Sequence, residues 1–218
     1  MNECRNFVIG VDLSGPANIG DTVLVAFENC HDRLRMIRTI DAASDFDIFE
    51  LVRSLPGGSR VTIGLDAPLS YNPGGGDRPA DAALRKLAVA AGLLSGSIMP
   101  PTLHRMIYLT ARGIAVARGL RMADGSPPTI VEVHPGAALA LGGAPAADIR
   151  QFSRDSGSRA RLLHWLEGQG MRGVAKDLPS SHYVAACAAA LAAWKRAEGK
   201  SAWLHAAEPP AHPFDYCA

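Results

Sequence analysis

Two aspartates in matching surroundings are the first residues of this chain that could do chemistry. Asp12 ends Ile9-Gly10-Val11-Asp12 and Asp66 ends Ile63-Gly64-Leu65-Asp66; each string closes an apolar, alternating run that small residues and proline then break. In both, a glycine lies two positions before the acid. The strand period of two puts that bare backbone beside the carboxylate and leaves room for an ion or a substrate. If the two strands are parallel neighbours, the carboxylates stand side by side at the carboxyl edge of a sheet, where open α/β folds hold their ligands. Like charges that close repel unless a cation or a proton intervenes. The pair therefore points to a divalent-metal site, although either aspartate alone could simply cap the turn after its strand.

Further candidates lie along the chain. Thr129 to His134 reads as a strand with Glu132 and His134 on one face. A carboxylate in an apolar strand needs a partner, so Glu132 is either a third metal ligand or the mate of a buried arginine. His134, just before Pro135, is either a substrate contact or a structural hydrogen-bonding group. Arg78 and Arg85 sit about two helical turns apart, where they could orient a phosphate or pair with Asp77 and Asp81 at helical spacing. His182 falls in the first turn of a last, alanine-rich helix.

The elements that must position these residues follow from pattern. After the Asp12 strand, Thr22 to Phe27 and Leu34 to Ile40 complete an antiparallel meander. Ser44-Asp45 caps a helix with an apolar stripe ending at Pro56-Gly57-Gly58, which returns the chain to the Asp66 strand. A meander, a crossover helix and a parallel strand make a mixed α/β sheet. Tyr71 to Gly76 is a flexible loop at the presumed site. Asp77 to Ala91 and a stretch opened by Met99-Pro100-Pro101-Thr102 and running to Arg121 read as helices, the second with Arg105, Arg112 and Arg118 on a broad polar face that is either a solvated surface or a phosphate track, the solvated reading being favoured. Ala144 to Ala147 reads as a loop, Ser158 to Gln169 and His182 to Arg196 as helices, and the proline-rich tail as an extended strap.

Composition narrows the classes. A chain of 218 residues can bury roughly 70% of its unfolded surface without disulfide staples. Cys4, Cys30, Cys187 and Cys217 show neither paired nor zinc-ligand spacing. No run approaches the roughly 20 apolar residues of a membrane span, and the expected location is cytoplasmic. A formal charge of +1 gives no global attraction to nucleic acid, so any such contact must be local.

Taken in order, the strings Gly10-Val-Asp-Leu-Ser-Gly-Pro16, Gly64-Leu-Asp-Ala-Pro-Leu-Ser70, Arg78-Pro-Ala-Asp-Ala-Ala-Leu-Arg85, Glu132-Val-His-Pro-Gly136 and His212-Pro-Phe-Asp215, with the alanine-rich helix between the last two, resemble the family catalogued as domain of unknown function 429. Its members are predicted RNase H-like nucleases. The resemblance implies a single RNase H-like domain over 1–218, a five-stranded mixed sheet flanked by helices, a helical insertion around 77–121 and an extended C-terminal tail. It also implies Mg²⁺ or Mn²⁺ held by Asp12, Asp66, Glu132 and His182, with nucleic acid as substrate. Where similar sequences carry an aspartate at the start of the last helix, this chain has Ser181-His182-Tyr183, and imidazole favours manganese over magnesium. Two other functions remain open. One is a non-catalytic binding module on the same fold. The other is an ATP-binding phosphotransferase of the actin and sugar-kinase kind, whose first loop Asp12-Leu-Ser-Gly loosely matches but whose second, glycine-rich phosphate loop is missing.

Overall fold

The computed structural model describes residues 5–122 and 126–218, so Cys4 lies outside the described residues. In chain order the elements are β1 (Asn6–Asp12), β2 (Val23–Cys30), β3 (Arg33–Asp41), α1 (Asp45–Ser54), β4 (Arg60–Asp66), α2 (Pro79–Ala90), α3 (Ile107–Arg121) and β5 (Thr129–Val133). They continue with α4 (Pro135–Leu141), α5 (Ala146–Gln151), α6 (Ser156–Gly168), β6 (Met171–Arg172), α7 (Ser181–Ala197), β7 (Leu204–His205) and β8 (Asp215–Cys217). One mixed sheet runs in the order β6-β3-β2-β1-β4-β5-β8-β7. The expected meander and the parallel β1–β4 pair are present, and β5 adds parallel to β4.

The sheet has eight strands where five were expected. The three additional ones are two or three residues long, too short to show a period of two. β8 belongs to the proline-rich tail, yet it pairs parallel to β5 and places Tyr216 opposite Glu132. Two other boundaries differ for reasons of proline chemistry. The helix expected from Met99 begins only at Ile107, because Pro100 and Pro101 supply no backbone N–H and hold 101–106 in turns. Pro135 does not merely end β5. As the first residue of α4 it starts a helix, where its missing donor costs nothing, and α5 occupies part of the segment read as a loop.

Two apolar layers sandwich the sheet. One contains α7 with α2, α4, α5 and α6, the other α1 and α3 with Ile9, Val11, Ile63 and Leu65. Residues 183–194 of α7 are all buried. The glycines of the repeated motif explain how a fully buried helix lies there. A Cβ at Gly10 would stand 2.0 Å from the Ala186 carbonyl oxygen, and one at Gly64 2.4 Å from that of Ala189. The bare backbone in front of each aspartate therefore receives the α7 backbone. It is not the open space for an ion that the sequence suggested.

Candidate functional site

Asp12 and Asp66 are register partners at the carboxyl ends of adjacent parallel strands. Because Gly10 and Gly64 face α7, both side chains leave the sheet on that same side. The first turn of α7 meets them there. Ser180 caps the helix by accepting a hydrogen bond from the Tyr183 N–H at 3.0 Å, and this sets His182 with Nδ1 2.7 Å from Asp12 Oδ2. Asp12 is largely covered, whereas 42% of the His182 side chain is exposed. With Nδ1 facing Asp12, the nitrogen left to meet a ligand is Nε2.

Helix α3 fixes both aspartate loops from the opposite layer. The buried Arg112 guanidinium donates to Ser14 O at 2.7 Å, to Thr22 Oγ1 at 2.8 Å and to Asp45 Oδ1 at 2.7 and 2.9 Å. Its neighbour Gly113 packs so closely on the loop after Asp66 that a Cβ would lie 2.8 Å from Ala67 Cβ and 2.9 Å from Pro68 O. Arg112 is thus a structural tie, not part of the solvated face expected from its spacing. Nothing in its spacing distinguished it from Arg105 and Arg118; only the tertiary contact does.

Burial, and then the neighbouring charge of Asp12, push the Asp66 carboxyl well above the usual carboxylate range. The hydrogen bond that His182 donates to Asp12 raises the imidazole above its ordinary value. One consequence is a pH dependence of stability. In the unfolded chain Asp66 releases its proton near pH 3.9; in the fold it keeps that proton to higher pH. Over that interval the folded state binds more protons than the unfolded one, so stability falls as pH rises. In EDTA, the melting temperature of the wild type is expected to drop more from pH 5 to pH 8 than that of Asp66→Asn. Parallel profiles for the two proteins would contradict the assigned shift.

The remaining candidates lie apart from this pair or are engaged. Glu132 is opposite Leu65 in the β4–β5 register, one residue short of Asp66, so it leaves the sheet on the other face. It accepts from Arg78 through both oxygens and from the Leu69 N–H at 2.8 Å. Arg78 is 4% exposed and also donates to Asp81 and, at 3.0 Å, to Ser70 Oγ. Burial alone would weaken its hold on the proton, but Glu132 and Asp81 keep it charged. It is therefore a buried hub and not an exposed phosphate clamp. Arg85 pairs with Asp77 at 2.6 and 2.7 Å and donates to Ile98 O.

His134 caps α4: its Nδ1 accepts from the Ala137 N–H at 3.1 Å, and Nε2 lies 2.9 Å from Ser97 O. That combination fixes the neutral tautomer with the proton on Nε2, and burial lowers its affinity for a second one. Among the described residues no three His, Cys, Asp or Glu side chains are gathered as a ready ligand set. A cleft of about 200 Å³ opens beside Asp66, Glu132 and Tyr216, and a second of about 250 Å³ opens between Asp66, Phe152 and Ala185. Sequence reading missed Tyr216, since a three-residue strand in a proline-rich tail carries no recognisable pattern.

Fold and site together define a mixed α/β protein with paired carboxylates at the carboxyl edge of its sheet, one of which, Asp66, lines two clefts. Residues 10–210 match the family described as "Protein of unknown function (DUF429)", and the chain belongs to that family. No curated protein and no solved structure matches it. Among the described residues no helix is long and apolar enough to cross a membrane.

Proposed function

We propose that the chain is a divalent-metal-dependent phosphodiesterase acting on nucleic acid, built on an RNase H-like arrangement of its five longer strands, β3-β2-β1-β4-β5. The observation that carries this reading is the Asp12/Asp66 register pair on neighbouring parallel strand ends, with His182 at the first turn of the helix that faces them. The residues fit a cation. Among the described residues no lysine or arginine pairs with either carboxylate, and burial and then Asp12 push the Asp66 carboxyl well above its ordinary value, a penalty on the charged form that a metal ion would relieve.

Asp12 and Asp66 would hold the ion, with His182 Nε2 as the further donor; imidazole among the donors suits manganese. Bound there, the metal would activate water and stabilise the leaving oxygen of a phosphodiester. The chain's own contribution is positional. Arg112 and Gly113 fix the two aspartate loops, and Ser180 sets the turn that presents His182. The Nδ1 of His182 donates to Asp12, which leaves the Nε2 lone pair to face an ion.

One observation favours a second reading. Glu132 is tied to Arg78, which leaves the carboxylate pair without the third acid that the family resemblance implies, as in a binding module that has lost catalysis. Calorimetric titration with Mn²⁺ separates the two. The nuclease reading expects binding to the wild type that weakens in Asp12→Asn and in Asp66→Asn by more than the roughly 10- to 100-fold that loss of an outer-shell partner costs, together with Mn²⁺-dependent cleavage of single-stranded RNA or DNA that both variants lose. Nucleic-acid binding without metal binding or cleavage would favour the module.

A further inference from the structure

The two clefts share three lining residues, Asp66, Ser97 and His134. They therefore adjoin along the His134–Ser97 contact, with Asp66 in the wall of both and Asp12 in the wall of neither. His134 is fixed there at both ring nitrogens, so the dividing wall is rigid. The first cleft is walled by Pro68, Met99, Met106 and Leu109 and holds the Tyr216 ring. Tyr216 is 6% exposed, and burial keeps its phenol protonated. None of the described residues forms a hydrogen bond with its hydroxyl, which is left as an unpaired donor in that cleft. The second cleft is walled by Leu93, Leu94, Ile149 and Phe152, with the exposed guanidinium of Arg150 at its edge.

Each cleft thus offers apolar faces and a polar donor. The arginines beside the clefts are otherwise engaged: Arg78 with Glu132 and Asp81, Arg85 with Asp77, and Arg112 with Asp45. Recognition of a duplex rests mainly on neutralising its phosphates, and these clefts supply few free cations for that. Unpaired bases, in contrast, bind by presenting flat faces to aromatic and apolar side chains and polar edges to donors.

We propose, building on the nucleic-acid reading above, that these adjoining clefts take two successive nucleosides of a single strand, one in each, with the joining phosphate at Asp66, the acid that lines both. Paired and stacked bases cannot enter side clefts unless they are first extruded. The substrate class is therefore single-stranded nucleic acid or an unpaired end, recognised over a dinucleotide step. Tyr216 donates to the nucleoside in the first cleft, and Leu94 and Phe152 cover the base in the second.

The test is fluorescence anisotropy on the full chain in Mn²⁺, with a phosphorothioate-linked dinucleotide that resists cleavage, a longer single strand of the same linkage and the duplex of that strand. The dinucleotide is expected to bind within about tenfold of the longer strand, and the duplex about tenfold or more weaker. Leu94→Glu, on an exposed position that leaves the fold intact, and Tyr216→Phe, which keeps the ring, are each expected to weaken the dinucleotide. Equal affinity for single strand and duplex, or indifference to both substitutions, would overturn the dinucleotide site and leave the nuclease reading standing. Failure of every nucleic acid to bind would overturn both.

Discussion

Arg78→Met is expected to destabilise the protein by about 3–5 kcal/mol, because removing one partner of a buried ion pair leaves the other charged and unpaired. Glu132 is 4% and Asp81 1% exposed, so neither carboxylate can turn to water. Their situations differ, however. Asp81 Oδ2 also accepts from the Arg78 backbone N–H at 2.9 Å, a contact that survives the substitution. Glu132 keeps only the Leu69 N–H. The larger part of the loss therefore comes from Glu132, and the double variant Arg78→Met/Glu132→Gln, which removes that charge but keeps an acceptor for Leu69, is expected to recover about half or more of it. Urea denaturation of the wild type and both variants measures this. A double variant no better than the single one would mean that the cost lies in lost packing of the guanidinium against Tyr216, whose ring centre is 5.3 Å from Arg78 Cζ.

The second large effect is expected at Gly10. The Cβ of Gly10→Ala would stand 2.0 Å from Ala186 O and 2.6 Å from Ala190 N. Both are backbone atoms of a helix that is itself buried, so no side chain can swing aside. Helix α7 has to move away from β1, which opens the interface of its alanines and draws His182 from Asp12. Overpacking ordinarily costs about 1–3 kcal/mol; with backbone in contact on both sides, about 3 kcal/mol or more is expected here. Gly57→Ala is the control, since a Cβ there meets nothing within 4 Å, and a change within about 0.5 kcal/mol is expected. Thermal melts read both. If Gly10→Ala folds with little loss, its histidine is still expected to show the displacement, as a lower imidazole pKa by NMR, because the Asp12 hydrogen bond is what raises it.

These two sites mark what could be read from the linear chain and what could not. The sequence by itself determined the carboxylate pair, the meander, the crossover to a parallel strand and the capped alanine helix with His182 in its first turn. Each rests on a short-range signal: alternation, a capping serine, a proline or glycine stop, or a motif repeated at the same strand position. The family assignment follows from the order of those signals and agrees with the match over 10–210.

Tertiary structure alone decided which polar groups face each other. Glu132 and Asp66 both lie at the carboxyl ends of apolar strands, the last residue of β4 and the last but one of β5, but pairing of Glu132 with Leu65 sends them to opposite faces of the sheet. Arg112 follows the same spacing as the exposed Arg105 and Arg118, and it is buried because the Asp12 loop and Asp45 come within reach; Arg78 is buried by Glu132 and Asp81 in the same way. The glycines before the aspartates have the sequence signature of an open site, yet a helix more than a hundred residues later in the chain fills the space. The two-residue and three-residue strands, and Tyr216 among them, left no periodicity to read. Local preference sets an element and the faces of its side chains, while register and long-range packing decide what each face meets.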